Sequence, residues 1–189
     1  GIWIISDEVY SRLVFDEKRA PSFLDVAGED DRVLTVNSFS KNWAMTGWRL
    51  GWLVGPPKAV DLIYNIILYE NMGASNFMQF GAVAALKKGE NFVSDFKDHC
   101  RSNLDILMDR FDANPKIIAY EPQSTFYSFF AVRGEDDCMN LAKRLIDEQS
   151  LCLGPGCSFG RKTKGYLRMC FAVSEAKLIE ALDRLEAAL

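Results

Sequence analysis

Two kinds of apolar spacing alternate along the chain. Ile2 to Ser6 is a short β-branched run that reads as a buried parallel strand ending at the polar cluster Ser6-Asp7-Glu8. Arg32 to Val36 reads as a second strand. Trp52 to Gly55 reads as a third, closed by Pro56-Pro57, which cannot continue a ladder and can start a helix. Between the first two strands, Arg12 to Asp31 is polar and irregular, with Pro21, Gly28 and the acids Glu29-Asp-Asp31, the composition of a surface connection. Ala59 to Tyr69 then places Ile63, Ile66, Ile67 and Tyr69 at helical spacing, predicting a packed face. Gly73 breaks that helix, and Asn71, Met72 and Asn76 read as ordinary loop residues. Phe77 to Lys88 is a second helix whose small residues allow close packing. Glu90 to Phe111 is a longer one, with Phe92, Phe96, Leu104, Leu107 and Phe111 apolar, and Asp112-Ala-Asn-Pro115 ends it.

Beyond Pro115 the pattern changes to short strands and two helices. Lys116 to Tyr120, Thr125 to Val132, Leu151 to Leu153 and Tyr166 to Ala172 read as strands. Cys138 to Gln149 reads as an amphipathic helix and Ser174 to Leu189 as a terminal one, with Ser174 at the N-cap. These make a small α+β layer with helices on one face of a sheet. With the long helix shared between the two parts, the chain divides into residues 1–102 and 103–189.

Composition narrows the classes of function. About half of the 189 residues are apolar, enough for a real core, and the net charge of −4 is dispersed. Nothing resembles a nucleic-acid track or a membrane-surface patch. Five scattered cysteines, an odd number without a C-x-x-C pair, fit a reduced cytoplasmic protein better than a disulfide scaffold. Cys152 and Cys157 flank Gly154-Pro-Gly156, but with His99 the only histidine, a zinc site is not expected. His99 itself, in a charged helical segment, reads as a solvated side chain. No apolar run reaches the roughly 20 residues that span a bilayer, and no basic leader precedes an apolar stretch. The strand-like opening Gly1-Ile-Trp-Ile-Ile reads as a chain that begins inside a fold.

The stretch from Val36 to Gly55 carries the chemistry. A β-branched run ends in the hydroxyl residues Ser38 and Ser40, Lys41 follows, and Arg49 comes eight residues later between Gly47 and Gly51. A lysine becomes a nucleophile toward carbonyls when its surroundings lower its pKa, and Phe39, Trp43, Met45 and Trp48 are there to desolvate it. Arg49 offers a charged, forked donor suited to phosphate oxygens, and the serines offer hydroxyl donors. Taken singly, each has a plainer reading: Lys41 as a surface charge and Arg49 as a helix-end arginine. Asp7, just past a strand end where open α/β sheets place ligands, reads either as a site residue or as the cap of the next turn.

Ser38-Phe-Ser-Lys41 followed by Ala-Met-Thr-Gly-Trp-Arg49-Leu-Gly51 resembles the signature around the cofactor lysine of class I/II aminotransferases. These are fold-type I enzymes that use pyridoxal phosphate. The chain is most similar to the branch with prokaryotic aspartate, alanine and aromatic aminotransferases. The resemblance implies an α/β fold: the C-terminal part of the large cofactor-binding domain, a mostly parallel sheet with helices, followed by the small α+β C-terminal domain. Asp7-Glu-Val-Tyr10 matches that family's Asp-x-x-Tyr motif, so Asp7 is expected to keep the pyridine nitrogen protonated and Tyr10 to hydrogen-bond the ring oxygen. Glu8 is expected to face solvent or a neighbouring loop.

By the same resemblance Lys41 binds the cofactor aldehyde covalently and shuttles a proton, while Ser38, Ser40 and Arg49 hold the phosphate. Arg168 lies in Gly165-Tyr-Leu-Arg-Met-Cys-Phe-Ala172, where a charge either reaches water from an edge strand or meets an anion. Gly154-Pro-Gly156, Phe159-Gly160 and Tyr166-Leu-Arg168 match the stretch carrying the family's substrate-carboxylate arginine. The activity implied is amino transfer from an amino acid to a 2-oxo acid in a homodimer, with no metal, nucleic acid or membrane partner. A carbon–sulfur β-lyase and a non-catalytic cofactor-binding regulatory domain share the constellation. The family's chains are about twice as long, and the part preceding Gly1 would complete the site, leaving these residues alone inactive.

Overall fold

The β-branched runs at Ile4 and Val33 pair in parallel in the computed structural model, which describes residues 1–189. β1 (Ile4–Asp7) and β2 (Val33–Ser38) are registered from Ile4 opposite Val33 to Asp7 opposite Val36. A one-turn helix, α1 (Phe39–Asn42), and a 3-10 turn at Thr46–Trp48 then fold the chain back, so β3 (Gly51–Val54) joins β2 antiparallel. Two helices follow, α2 (Pro57–Asn71) and α3 (Asn76–Lys88), and then α4 (Glu90–Ala113). The chain divides into two units, Gly1–Lys97 and Asp98–Leu189.

In the first unit a buried cluster of Phe39, Leu50 and Ala82 brings α1, the start of β3 and α3 together, with Trp43, Met45, Met78 and Ala85 packed around it. The small residues of α3 permit this approach: a Cβ on Gly81 would run into the Trp48 ring. Two apolar faces stand open in these residues alone: Ile5 of β1 is 71% exposed, and α2 has no buried residue, Tyr69 being 93% exposed. Apolar spacing marks a face that prefers cover without supplying the layer that covers it.

The connection from Arg12 to Asp31 is irregular except for a 3-10 turn at Phe23–Asp25. Ser22 caps this turn, its hydroxyl accepting the Leu24 N–H at 3.1 Å while the Asp25 carboxylate accepts the Ser22 N–H at 3.0 Å. Arg19 grips Asp25 with two bonds, 2.9 and 2.7 Å. The Arg19 guanidinium first, and then the Ser22 N–H, hold Asp25 down at about 2 from its ordinary 3.8. The lowered pKa means that the contact stabilises the loop above the ordinary carboxylate range and is lost as pH falls toward 2. An NMR titration should find Asp25 ionised well below the ordinary carboxylate range, and Arg19→Gln should return it toward 3.8; an Asp25 that titrates normally in the parent protein overturns the assignment.

The second unit is built on a four-stranded antiparallel sheet of β4 (Ile117–Ile118), β5 (Tyr127–Val132), β7 (Tyr166–Cys170) and β6 (Gly154–Pro155), in that spatial order. Alternate residues point inward: Ser128, Phe130 and Val132 from β5, Leu167 and Met169 from β7. Buried residues of α5 (Cys138–Gln149), α6 (Glu175–Ala188) and α4 complete the core, including Leu141, Leu145, Leu178, Leu182, Leu104 and Phe111. The Phe111 and Phe130 rings meet at 4.6 Å.

Leu151–Leu153, expected as a strand, is still leaving α5. Ser150 is left-handed at φ 51° and the Leu151 N–H donates to the Leu145 carbonyl at 3.0 Å, so pairing starts only at Gly154. Ser174 occupies the N-cap of α6, but its side chain makes no capping bond.

Gly156 begins a 3-10 turn, Gly156–Phe159, and a Cβ there would run into the carbonyl oxygens of Thr163 and Tyr166, the latter at 2.5 Å. Both are backbone atoms and cannot turn aside. Gly156→Ala is therefore expected to destabilise the chain by roughly 2–3 kcal/mol, read as a lowered midpoint in chemical denaturation. An unchanged midpoint would show that the turn relaxes freely.

Candidate active site

Because β1 and β2 are parallel, their C-terminal ends emerge on the same side of the sheet, the place where such sheets offer polar groups to ligands. Asp7 ends β1, and Ser38 ends β2 while serving as the N-cap of α1. Three bonds fasten the segment after β1 to β2 and to the α1 helix that follows it. The Glu8 N–H donates to the Val36 carbonyl at 2.9 Å, the Arg12 N–H to Asn42 Oδ1 at 3.3 Å, and Asn37 Nδ2 to Ser11 Oγ at 3.3 Å. That fastening leaves Lys41 Nζ 5.8 Å from the centre of the Tyr10 ring, within cation–π range. Ser11, Arg12, Asn37 and Asn42 were not singled out from the sequence. The one signal for Asn42 was its polarity before the apolar Trp43-Ala-Met45; it is a buried amide.

Asp7 is exposed, and its Oδ1 accepts the Val9 N–H at 3.3 Å, so it caps the turn while standing at the strand end. Glu8 serves the neighbouring loop, accepting the Ser6 hydroxyl at 3.1 Å and the Phe23 N–H at 3.2 Å. The Ser38 hydroxyl donates to the Leu50 carbonyl at 3.1 Å and accepts the Ser40 N–H at 3.0 Å; Ser40 is buried. Arg49 is left-handed at φ 52°, exposed, and donates one guanidinium N–H to the Thr46 carbonyl at 2.9 Å. It borders a cleft of about 470 Å³ that is also lined by Trp48, Gly51, Asn71 and Ser75. At Gly51 a Cβ would lie 2.6 Å from the Asn37 carbonyl oxygen, so a glycine is what lets β3 pair closely with the end of β2.

In the second unit Arg168 lies on β7, opposite Phe129 on one side and Gly154 on the other. Its guanidinium carbon is 4.3 Å from the Tyr127 ring and 4.2 Å from the Phe159 ring, so the half-buried cation is flanked by two aromatic side chains. Phe159 lies in the same continuous stretch as Arg168, within ten residues of it; Tyr127 comes from a different strand. His99 is exposed, as expected, and hydrogen-bonds the Val173 carbonyl at 2.7 Å. No helix is long and apolar enough to cross a membrane.

The same arrangement of strands and helices occurs in solved aminotransferase structures of fold type I. An aromatic aminotransferase from Pyrococcus horikoshii superposes with a TM-score of 0.91 at 29% identity, covering 100% of this chain and 51% of that one. Residues 1–185 match aminotransferase class I and II, and the chain belongs to that family. Among curated relatives, an aspartate aminotransferase from Thermotoga maritima is 36% identical over 98% of this chain and 47% of its own length. An LL-diaminopimelate aminotransferase from Desulforudis audaxviator is 30% identical over 100% of this chain and 48% of its own. The chain spans about half the length of the curated relatives it matches.

Proposed function

We propose that the protein to which these residues belong moves an amino group from an amino acid to a 2-oxo acid, using pyridoxal phosphate bound at Lys41. The observation that carries this reading is the gathering of Asp7, Tyr10, Ser38 and Lys41 past the ends of two parallel strands. Their chemistry fits the cofactor group by group: an amine for the aldehyde, a carboxylate for the pyridine nitrogen, a phenol for the ring oxygen, and hydroxyl and guanidinium donors for the phosphate. When bound, the cofactor supplies a sink for the electron pair left as the substrate Cα–H bond breaks.

The side chains then divide the work. Lys41 would hold the cofactor aldehyde and, with its amine free, would take the proton from the substrate Cα. Asp7 keeps the pyridine nitrogen protonated. Ser38 turns its one hydroxyl proton from the Leu50 carbonyl to a phosphate oxygen, with Ser40 beside it, and Arg49 offers the N–H groups not directed at Thr46. Arg168 takes the substrate carboxylate by the two-pronged pairing that guanidinium geometry favours. We assign residues 1–102 to the cofactor domain and 103–189 to the small domain.

The names of the relatives support acidic, diamino or aromatic amino acids as substrates, and we propose a cytoplasmic homodimer as the working form. The 189 residues alone are expected to bind the cofactor weakly and to show no appreciable turnover. Mixing the full-length protein with pyridoxal phosphate, reducing with borohydride and mapping peptides by mass spectrometry tests the site directly. The pyridoxyl group is expected on Lys41; equal labelling across the exposed lysines would overturn the reading.

A further inference from the structure

Cys138 and Cys157 lie 19 residues apart in sequence and touch in the fold. The sulfur of Cys138, first residue of α5, accepts the Cys157 backbone N–H at 3.2 Å. Cys138 is buried and Cys157 exposed. We propose that these two thiols form a reversible disulfide, with a low-molecular-weight disulfide of the glutathione class as oxidant, and that the bond clamps the Gly156–Phe159 turn to the start of α5.

The surrounding backbone holds the pair in place before any oxidation. The Cys138 N–H donates to the Lys164 carbonyl at 2.7 Å, and the Thr163 hydroxyl reaches the Gly156 and Gly160 carbonyls at 2.6 and 2.7 Å. Both segments are already fastened to the same loop, with the Cys138 sulfur against the Cys157 backbone, and the covalent bond requires the two sulfurs to close to ~2.05 Å. The Cys157 thiol is held above its ordinary pKa, chiefly by its hydrogen bond with the Cys138 sulfur. The remaining cysteines differ. Cys100 is fully buried and pushed up to about 12 by burial, so it is silent, whereas Cys152 and Cys170 are exposed.

Exchange balances in two steps. The exposed Cys157 sulfur, after losing its proton, attacks one sulfur of the oxidant and expels a thiolate, leaving a mixed disulfide. The Cys138 sulfur, also deprotonated, then attacks the Cys157 sulfur and expels the second thiolate. Two protein thiols surrender two electrons and two protons, and one reagent disulfide becomes two thiols. Because Phe159 ends the clamped turn and its ring packs 4.2 Å from the Arg168 guanidinium, the bond also steadies one aromatic wall beside Arg168. Any consequence for substrate binding rests on the proposed role of Arg168, but the thiol chemistry does not.

The test equilibrates the full chain in reduced and oxidised glutathione mixtures, alkylates the remaining thiols and maps linked peptides by mass spectrometry. The expected product is a Cys138–Cys157 link that disappears on return to reduced glutathione. Cys138→Ser should stop at a glutathione adduct on Cys157. Hydrogen exchange of the 156–159 amides should slow several-fold on oxidation. Glutathione adducts on Cys157 of the parent chain at the level seen in Cys138→Ser, or a link joining other cysteines, would overturn the proposal; unchanged exchange in linked protein would overturn the clamp. Neither measurement depends on catalysis, so failure here leaves the aminotransferase reading standing.

Discussion

Replacing Lys41 by alanine in the full-length protein is expected to abolish covalent capture of pyridoxal phosphate and to slow amino transfer by at least about 10⁴-fold. In the proposed mechanism the amine has two duties, linkage to the aldehyde and proton transfer at Cα, and alanine would perform neither. The fold should survive, because Lys41 sits on the one-turn α1, half-buried beside Tyr10, while the packing around it depends on Phe39, Leu50 and Ala82. The measurement pairs the visible absorbance of the bound cofactor with single-turnover transfer. Added methylamine should restore part of the rate if the missing group is the proton carrier. An unaltered spectrum in Lys41→Ala would sink the assignment.

Arg168→Met should raise the KM for the amino acid by on the order of 10²–10³-fold, the loss expected when a charge-assisted pair with a carboxylate is removed. Arg168→Lys should recover only part, since an ammonium matches neither the forked geometry nor the stacking between Tyr127 and Phe159. An amine analogue without the carboxylate discriminates the causes: the variant and the parent should treat it alike. If the defect persists with that analogue, Arg168 acts through the packing of the second unit and not through the substrate.

Much of the local structure was legible residue by residue. The helix at Cys138–Gln149 appears with the expected ends, because an Asp137 cap, an apolar face and a left-handed Ser150 all lie within its own segment. The strand at Tyr166 was legible for the same reason, its alternation being strict through Met169. The motif from Ser38 to Gly51 was likewise readable, since a hydroxyl, a lysine and an arginine at those spacings are properties of one continuous stretch.

Contacts between distant stretches were not legible. Periodicity marked apolar faces on β1 and α2 but not what covers them, because burial is decided by what lies across a face. Nor could it pair Arg12 with Asn42 across 30 positions, seat Arg168 between Tyr127 and Phe159, or bring Cys157 onto the Cys138 sulfur.

By itself, then, the sequence determined the kinds of element and the inventory of reactive groups, since propensity, capping and motif chemistry act over a few residues. Only the tertiary structure decided which groups meet: parallel pairing of β1 with β2 sets Asp7 level with Val36, and the bonds from the segment after β1 to Asn37 and Asn42 bring Tyr10 to Lys41. Those meetings depend on long-range packing, whose energy is shared among residues that no single window of sequence contains.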